Sequence, residues 1–217
     1  MSKSEKRTSN YDVAKLRARE SFLGYDQAEM SRKHSLVYDA DYLYIRFVGR
    51  DYKIDRRDGS ITWTDAKHSG PMDANFNEVM AIYDVLCYAW PDCRLSGEFV
   101  NMKSLSSMQG GNPGSNLFGR WEKRMDHKDA ALAGACEKLG GVRAGKGDVA
   151  YQLPMFDFLP VRVQFWNSDD EFPASLQLFL DKNVLQYMHF ETVAFAATHL
   201  VSRLAAEMQE AARARES

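Results

Sequence analysis

The stretch from Gly147 to Asn183 constrains the fold more than any other part of the chain. Val161, Val163 and Phe165 recur at every second position, and so do Leu176, Leu178 and Leu180. That period places each trio on one face of an extended segment. Val149 to Leu153 is a third such segment, closed by Pro154, and Pro173 opens the leucine-bearing strand, where a missing ladder donor is tolerated. The pattern predicts a three-stranded meander with an acidic turn, Asn167 to Glu171, between its last two strands. From about His189 to Glu210 the period becomes helical. Phe190, Val193, Ala197, Val201, Leu204 and Met208 form a stripe long enough to cover one face of the sheet, and Glu191 in the first turn suits the helix dipole.

Earlier in the chain the punctuation is also readable. Ser9 with Asp12, and Asp26 with Glu29, have the spacing of helix caps, and Val13, Leu16 and Leu23 supply a modest apolar stripe to the first helix. Leu43, Ile45 and Phe47 alternate with Tyr44 and Arg46 in a strand that Gly49 ends. Residues 51–55 and 60–64 predict a hairpin around Asp58-Gly59. Pro71 and Asp73 open a helix whose stripe is Phe76, Val79, Met80, Tyr83, Leu86, Cys87 and Trp90, and Pro91 stops it. Residues 92–115 read as an irregular excursion with one helical turn near Leu105. A loop of that length is a candidate lid or contact surface. Helical sequence resumes from about Asn116 to Leu139, broken near His127, and Gly140-Gly141 stops it.

These elements predict an α+β fold: a mostly antiparallel sheet, built from an N-terminal hairpin region and a C-terminal three-stranded meander, packed with helices. Residues 1–8 are expected to be a disordered tail, 9–210 a single domain and 211–217 a frayed tail. With 45% hydrophobic and 27% charged residues in 217, a chain of this kind sustains a core. The 28 basic and 30 acidic residues leave a net charge of -2, which argues against a general nucleic-acid binder. No apolar run is long enough to span a membrane, and the polar start lacks a signal peptide's apolar segment. The odd set Cys87, Cys93 and Cys136 suits neither a disulfide framework nor a metal site, which places the expected location in the cytoplasm.

Gly147-Asp148, Leu153-Pro154, Phe165-Trp166, Asp170-Glu171-Phe172-Pro173, Asp181 and Glu191 together resemble domain-of-unknown-function family 3786, a bacterial and archaeal family without an established activity. Phe47 to Tyr52 and Asp58-Gly59 resemble it more loosely. The resemblance implies an association with anaerobes and with corrinoid or one-carbon metabolism. Some members of that family carry an added iron–sulfur segment, which needs several closely spaced cysteines. Cys87, Cys93 and Cys136 do not provide them, so no cofactor carries over.

The sharpest polar feature is the acidic turn. If extended, Asp169 and Glu171 project to one side about 7 Å apart, a separation suited to acid–base work or to oxygen ligands of a hard cation. Asn, Ser and Asp are also the ordinary residues of a solvated turn. Asp169, Asp170, Glu171 and His189 are therefore the catalytic candidates, with Asp181 or Glu191 as the only available partners for His189. Trp166, Phe172, Asp181 and Glu191 are the candidates for holding a ligand or cofactor of unknown identity. His189 and His199 are ten residues apart, about 80° around a helix, and do not make a metal pair. Three functions stay open: non-catalytic binding of a small molecule or cofactor, acid–base or metal-assisted hydrolysis, and service as a subunit of a protein complex.

Overall fold

Alternation and turn chemistry build the sheet. In the computed structural model, which describes residues 9–108 and 117–216, Tyr42–Phe47 (β1) and Arg50–Asp55 (β2) pair antiparallel in a tight hairpin. Val48 and Gly49 between them have φ of 46° and 69°, the left-handed pair that a two-residue hairpin turn requires. Gly49 thus joins two strands rather than ending one. Ile61–Trp63 (β3) pairs with β2 beyond the Asp58-Gly59 turn, and Met72–Asp73 (β4) pairs with β3.

The C-terminal half extends the same sheet. Phe99–Asn101 (β5) forms one edge, Val142–Arg143 (β6) lies beside Val149–Phe156 (β7), and Leu159–Trp166 (β8) and Ser175–Asp181 (β9) complete the meander. The strand order is β4-β3-β2-β1-β7-β8-β9-β5, with β6 pairing β7. The two halves meet where Phe47 faces Phe156 and the Val48 N–H donates to Met155 O at 2.8 Å. Among the described residues this is a nine-stranded antiparallel sheet, and the fold is α+β. β7 runs through Pro154 instead of stopping there. Pro154 faces Pro160, and the register shifts between Pro154 and Phe156, so the missing donor falls at an irregularity.

Helices cover one face. They are Asn10–Gly24 (α1), Gln27–His34 (α2), Phe76–Cys87 (α3), Met102–Met108 (α4), Gly119–Met125 (α5), Asp129–Lys138 (α6) and Phe190–Glu216 (α7). α7 buries Val193, Ala197, Val201, Leu204 and Met208, as its stripe predicts, between α3 and α6. The same core takes in the inward trios of β8 and β9. The helix continues to Glu216, past the expected start of fraying at residue 211.

Three further expectations need correction. α3 starts at Phe76, not at Pro71 to Asp73. Asn75 caps it in a reciprocal box with Glu78, and the residues just before it are held as β4 by pairing with β3. On α1 only Phe22 is fully buried; Val13, Leu16 and Leu23 face outward, because the helix seats on α3 through the opposite side. Residues 92–108 are not irregular throughout, since β5 and α4 lie within them. The Gln109–Ser115 part of the candidate lid, the tail at residues 1–8 and Asn116 lie outside the described residues. The break near His127 is present, with His127 at φ 54° between α5 and α6.

Candidate binding cleft

Local hydrogen bonds account for the segment from Trp166 to Pro173. Asp169 accepts from the N–H groups of Glu171 and Phe172 at 2.9 and 2.7 Å, which hold its carboxyl below the usual range. Asn167 N–H donates to Asp148, its amide donates to Asp129, and its oxygen accepts from His127 N–H. Ser168 donates through both backbone and hydroxyl to Asp126. The turn is therefore stitched to the α5–α6 junction. Asp169, Asp170 and Glu171 are exposed, Phe172 is 66% exposed, and Trp166 is half-buried opposite Ser175. Gly147 is glycine because its φ is +127° and a Cβ there would lie 2.7 Å from Phe165 O.

His189 sits elsewhere. β9, about 20 Å long by its seven residues, separates it in sequence from the acidic turn, and its partner is Asp84 of α3. Asp84 Oδ1 lies 2.7 Å from His189 Nδ1, while Oδ2 accepts from His189 N–H at 2.7 Å and from the Thr192 hydroxyl. That carboxylate caps the start of α7, and neither Asp181 nor Glu191 takes part. Asp181 is fully buried and accepts from Ser96 N–H and hydroxyl, Gly97 N–H and Asn183 N–H. Burial pushes its pKa up, but those donors outweigh it and hold the carboxyl below the usual range. Glu191 is exposed in the first turn of α7. Burial pushes the Cys87 thiol up to about 12, so it is no ready nucleophile. The structure brings none of Asp169, Asp170 and Glu171 into the cleft that His189 lines.

A cleft of about 840 Å³ opens instead between the N-terminal part of the sheet and the second half of α7. Tyr42, Tyr44 and Trp63 supply its aromatic wall, and Lys138 of α6 reaches its far side. Behind the Arg50, Tyr52 and Arg203 that line it lies a buried polar network. Glu78, 1% exposed, accepts from Arg50 Nη1 at 2.9 Å and the Tyr52 hydroxyl at 2.7 Å with Oε1, and from Asn75 N–H at 2.6 Å with Oε2. Tyr52 is fully buried, and burial with the Glu78 charge raises its pKa, so it stays a neutral donor. The Arg50 guanidinium lies 3.5 Å over the Trp63 ring. On α7, Arg203 donates to Glu207 at 3.0 Å, and Glu207 also pairs with Lys138. His199 stacks on Phe47 with its Nε2 3.6 Å from Glu78, too far for a hydrogen bond. Burial, with Arg50 and Arg203 close by, pushes its pKa down to about 3, so the ring is neutral.

Charge follows from this lining. Arg46, Arg50, Lys53, Lys67, Lys138 and Arg203 border the cleft, against the carboxylates Asp51, Asp65, Glu207 and Glu210. With the Glu78 charge behind Arg50 counted, six cations meet five carboxylates, and that surplus of one beside aromatic walls suits an anion bearing a ring.

The sequence model of a family described as a domain of unknown function (DUF3786) matches residues 26–203. The chain belongs to this family. No curated protein and no solved structure matches it. The span shared with DUF3786 takes in Arg50, Glu78 and His199 and ends at Arg203, so the floor of the cleft falls within the family domain. Glu207 and Glu210 lie beyond it.

Sequence reasoning passed over this network, although traces of it are present. His199, Arg203 and Glu207 recur at four-residue steps on α7, a polar stripe beside the apolar one. Arg50 and Tyr52 share the face of β2 that carries Ile54. No metal-type grouping of three His, Cys, Asp or Glu side chains occurs among the described residues.

Proposed function

We propose that the protein is a non-catalytic binder of an anionic, ring-bearing small molecule or cofactor, working in the cytoplasm. The observation that carries this reading is the cleft itself: six cationic side chains and an aromatic wall above a buried, fully hydrogen-bonded Glu78. Buried networks of that kind hold side chains in place before a ligand arrives. The free state of Cys87, Cys93 and Cys136 supports a reducing compartment. The metabolic setting we infer, an accessory role in anaerobic corrinoid or one-carbon chemistry, is what the resemblance described for the sequence implies. Hydrolysis by Asp169, Asp170, Glu171 and His189 requires those groups in one cleft, and their separation removes its basis.

Equilibrium dialysis against a small-molecule cell extract, read by mass spectrometry, tests the reading. An anion enriched by the wild-type protein and lost with a Lys53→Gln, Lys67→Gln double variant is the expected outcome. Enrichment of neutral or cationic compounds only, or of the same anions by both proteins, would overturn it.

One observation favours a second reading, a subunit of a complex. Val13, Leu16 and Leu23 of α1 face outward, next to the exposed rings of Tyr11 and Tyr25. Affinity capture with and without a Leu16→Glu, Leu23→Glu double substitution tests it, and identical recoveries would dispose of it.

A further inference from the structure

The two arginines on the cleft floor come from distant parts of the chain. Arg50 opens β2 directly after the Val48-Gly49 turn, and Arg203 lies on α7, one helical turn beyond His199. Both line the same cleft, with 16% and 17% of their side chains accessible. Each is already held: Arg50 by Glu78 and by its stack on Trp63, Arg203 by Glu207. Side chains fixed in this way lose little further freedom when a ligand arrives.

The floor is also incomplete as it stands. Arg203 Nε is buried and donates to nothing. Burial and the charge of Arg50 both push the Arg203 pKa down, so the two guanidinium charges repel each other. The neutral His199, stacked on Phe47, adds no negative charge to relieve this.

We propose that Arg50 and Arg203 form a fork for the phosphate group of the cleft's ligand, a phosphomonoester or pyrophosphate of about nucleotide size. This rests on the reading of the cleft as a ligand site. A carboxylate offers two oxygens in one plane, which a single guanidinium satisfies. A phosphate offers oxygens in three directions, and two guanidiniums from different elements match that. Lys67 and Lys138 at the rim, paired with Glu210 and Glu207, are compact charges that can turn toward a dianion. Phosphate alone fills a small part of about 840 Å³, a volume in the range of small-molecule pockets, and the rings of Tyr42 and Tyr44 border the remainder.

The test is titration of the full chain at fixed ionic strength with pyrophosphate, adenosine 5′-monophosphate and citrate. Tryptophan fluorescence and thermal shift report binding. The variants are Arg203→Gln, Arg203→Lys and, outside the cleft, Lys182→Gln. Saturable binding of both phosphate compounds over citrate is expected. Arg203→Gln should weaken it about tenfold or more, Arg203→Lys nearly as much because the second donor is lost, and Lys182→Gln not measurably. Should Arg203→Gln fail to fold, the charge-preserving Arg203→Lys decides. Citrate binding more tightly than both phosphates, or phosphate binding unchanged in Arg203→Lys, would overturn the fork while leaving the cleft as an anion site. Saturable binding of none of the three would overturn the fork and count against the anionic-ligand reading as well.

Discussion

Two buried histidines make the fold acid-labile, and the size of the effect follows from their surroundings. His34 is 6% exposed on α2; its Nε2 lies 3.0 Å from Val85 O, its ring stacks on Phe158 at 4.2 Å, and its Nδ1 has no partner. Burial pushes its pKa down from 6.5 to about 4, and that of His199 down to about 3. In both cases the folded state binds its proton less readily than the unfolded chain. Between these folded values and pH 6.5 the unfolded state therefore carries more protons, and stability falls as the pH falls through that window. Lowering the pH from 7.5 to 5.0 covers about 1.5 units of it, worth roughly 2 kcal/mol per histidine and roughly 4 kcal/mol for the two. That is a large share of a typical stability of about 5–15 kcal/mol. Urea unfolding followed by circular dichroism at the two pH values measures it. His34→Gln and His199→Gln should each remove about half of the pH-dependent loss, whatever they do to stability at pH 7.5. A wild-type loss below about 1 kcal/mol, or a double variant that keeps the full slope, would refute the assignment.

Three further predictions test the frame around the cleft. Gly49→Ala should destabilise by about 1–3 kcal/mol, because φ there is +69° and the new Cβ would lie 2.9 Å from Leu139 Cδ2; an unchanged melting temperature would sink this. Asp84→Asn should destabilise by about 1 kcal/mol through loss of the charged cap on His189 N–H and the Thr192 hydroxyl, seen in a thermal melt. Phe172→Ala should change stability by no more than about 0.5 kcal/mol, since the ring is 66% exposed; a larger loss in urea unfolding would show that the acidic turn packs on more than its hydrogen bonds suggest.

Where local sequence decides local structure, the chain is readable. The trios on β8 and β9, the stripe of α7, the Ser9–Asp12 capping box and the break at His127 all depend on residues close to one another in sequence. The elements that escaped notice depend on distant partners. β5 has only Phe99, Val100 and Asn101, too short for a period, and becomes a strand because it pairs with β9 about 80 residues on. β4 interrupts what reads as a helix start because β3 offers it a ladder. Val48 gives no turn signal, since a β-branched residue rarely takes φ of 46°; its burial and its bond to Met155 O hold it there. The outward stripe on α1 shows the converse. Its apolar residues are real, but periodicity cannot say whether this chain supplies the surface that covers them.

The candidate site was harder to read for a related reason. A polar run such as Asn167 to Glu171 attracts attention because its unusual residues are contiguous, yet contiguous polar groups can satisfy one another, as Asp169 does with its own turn. The cleft floor is assembled from single charges on β2, α3 and α7, elements distant in sequence, each of which reads alone as a surface position. Glu78 shows how the fold joins them. One of its oxygens closes the capping box of α3, and the other fixes Arg50 and Tyr52 on β2. The first turn of α3 therefore sets the position of Arg50, and any change that shifts the helix start must also move the charge in the cleft. If the cleft takes an anion as proposed, stability and affinity are coupled through that one carboxylate. Glu78→Gln can still accept from either neighbour but loses the charge that holds Arg50, so it should weaken anion binding more than a surface Glu→Gln change of equal effect on the melting temperature.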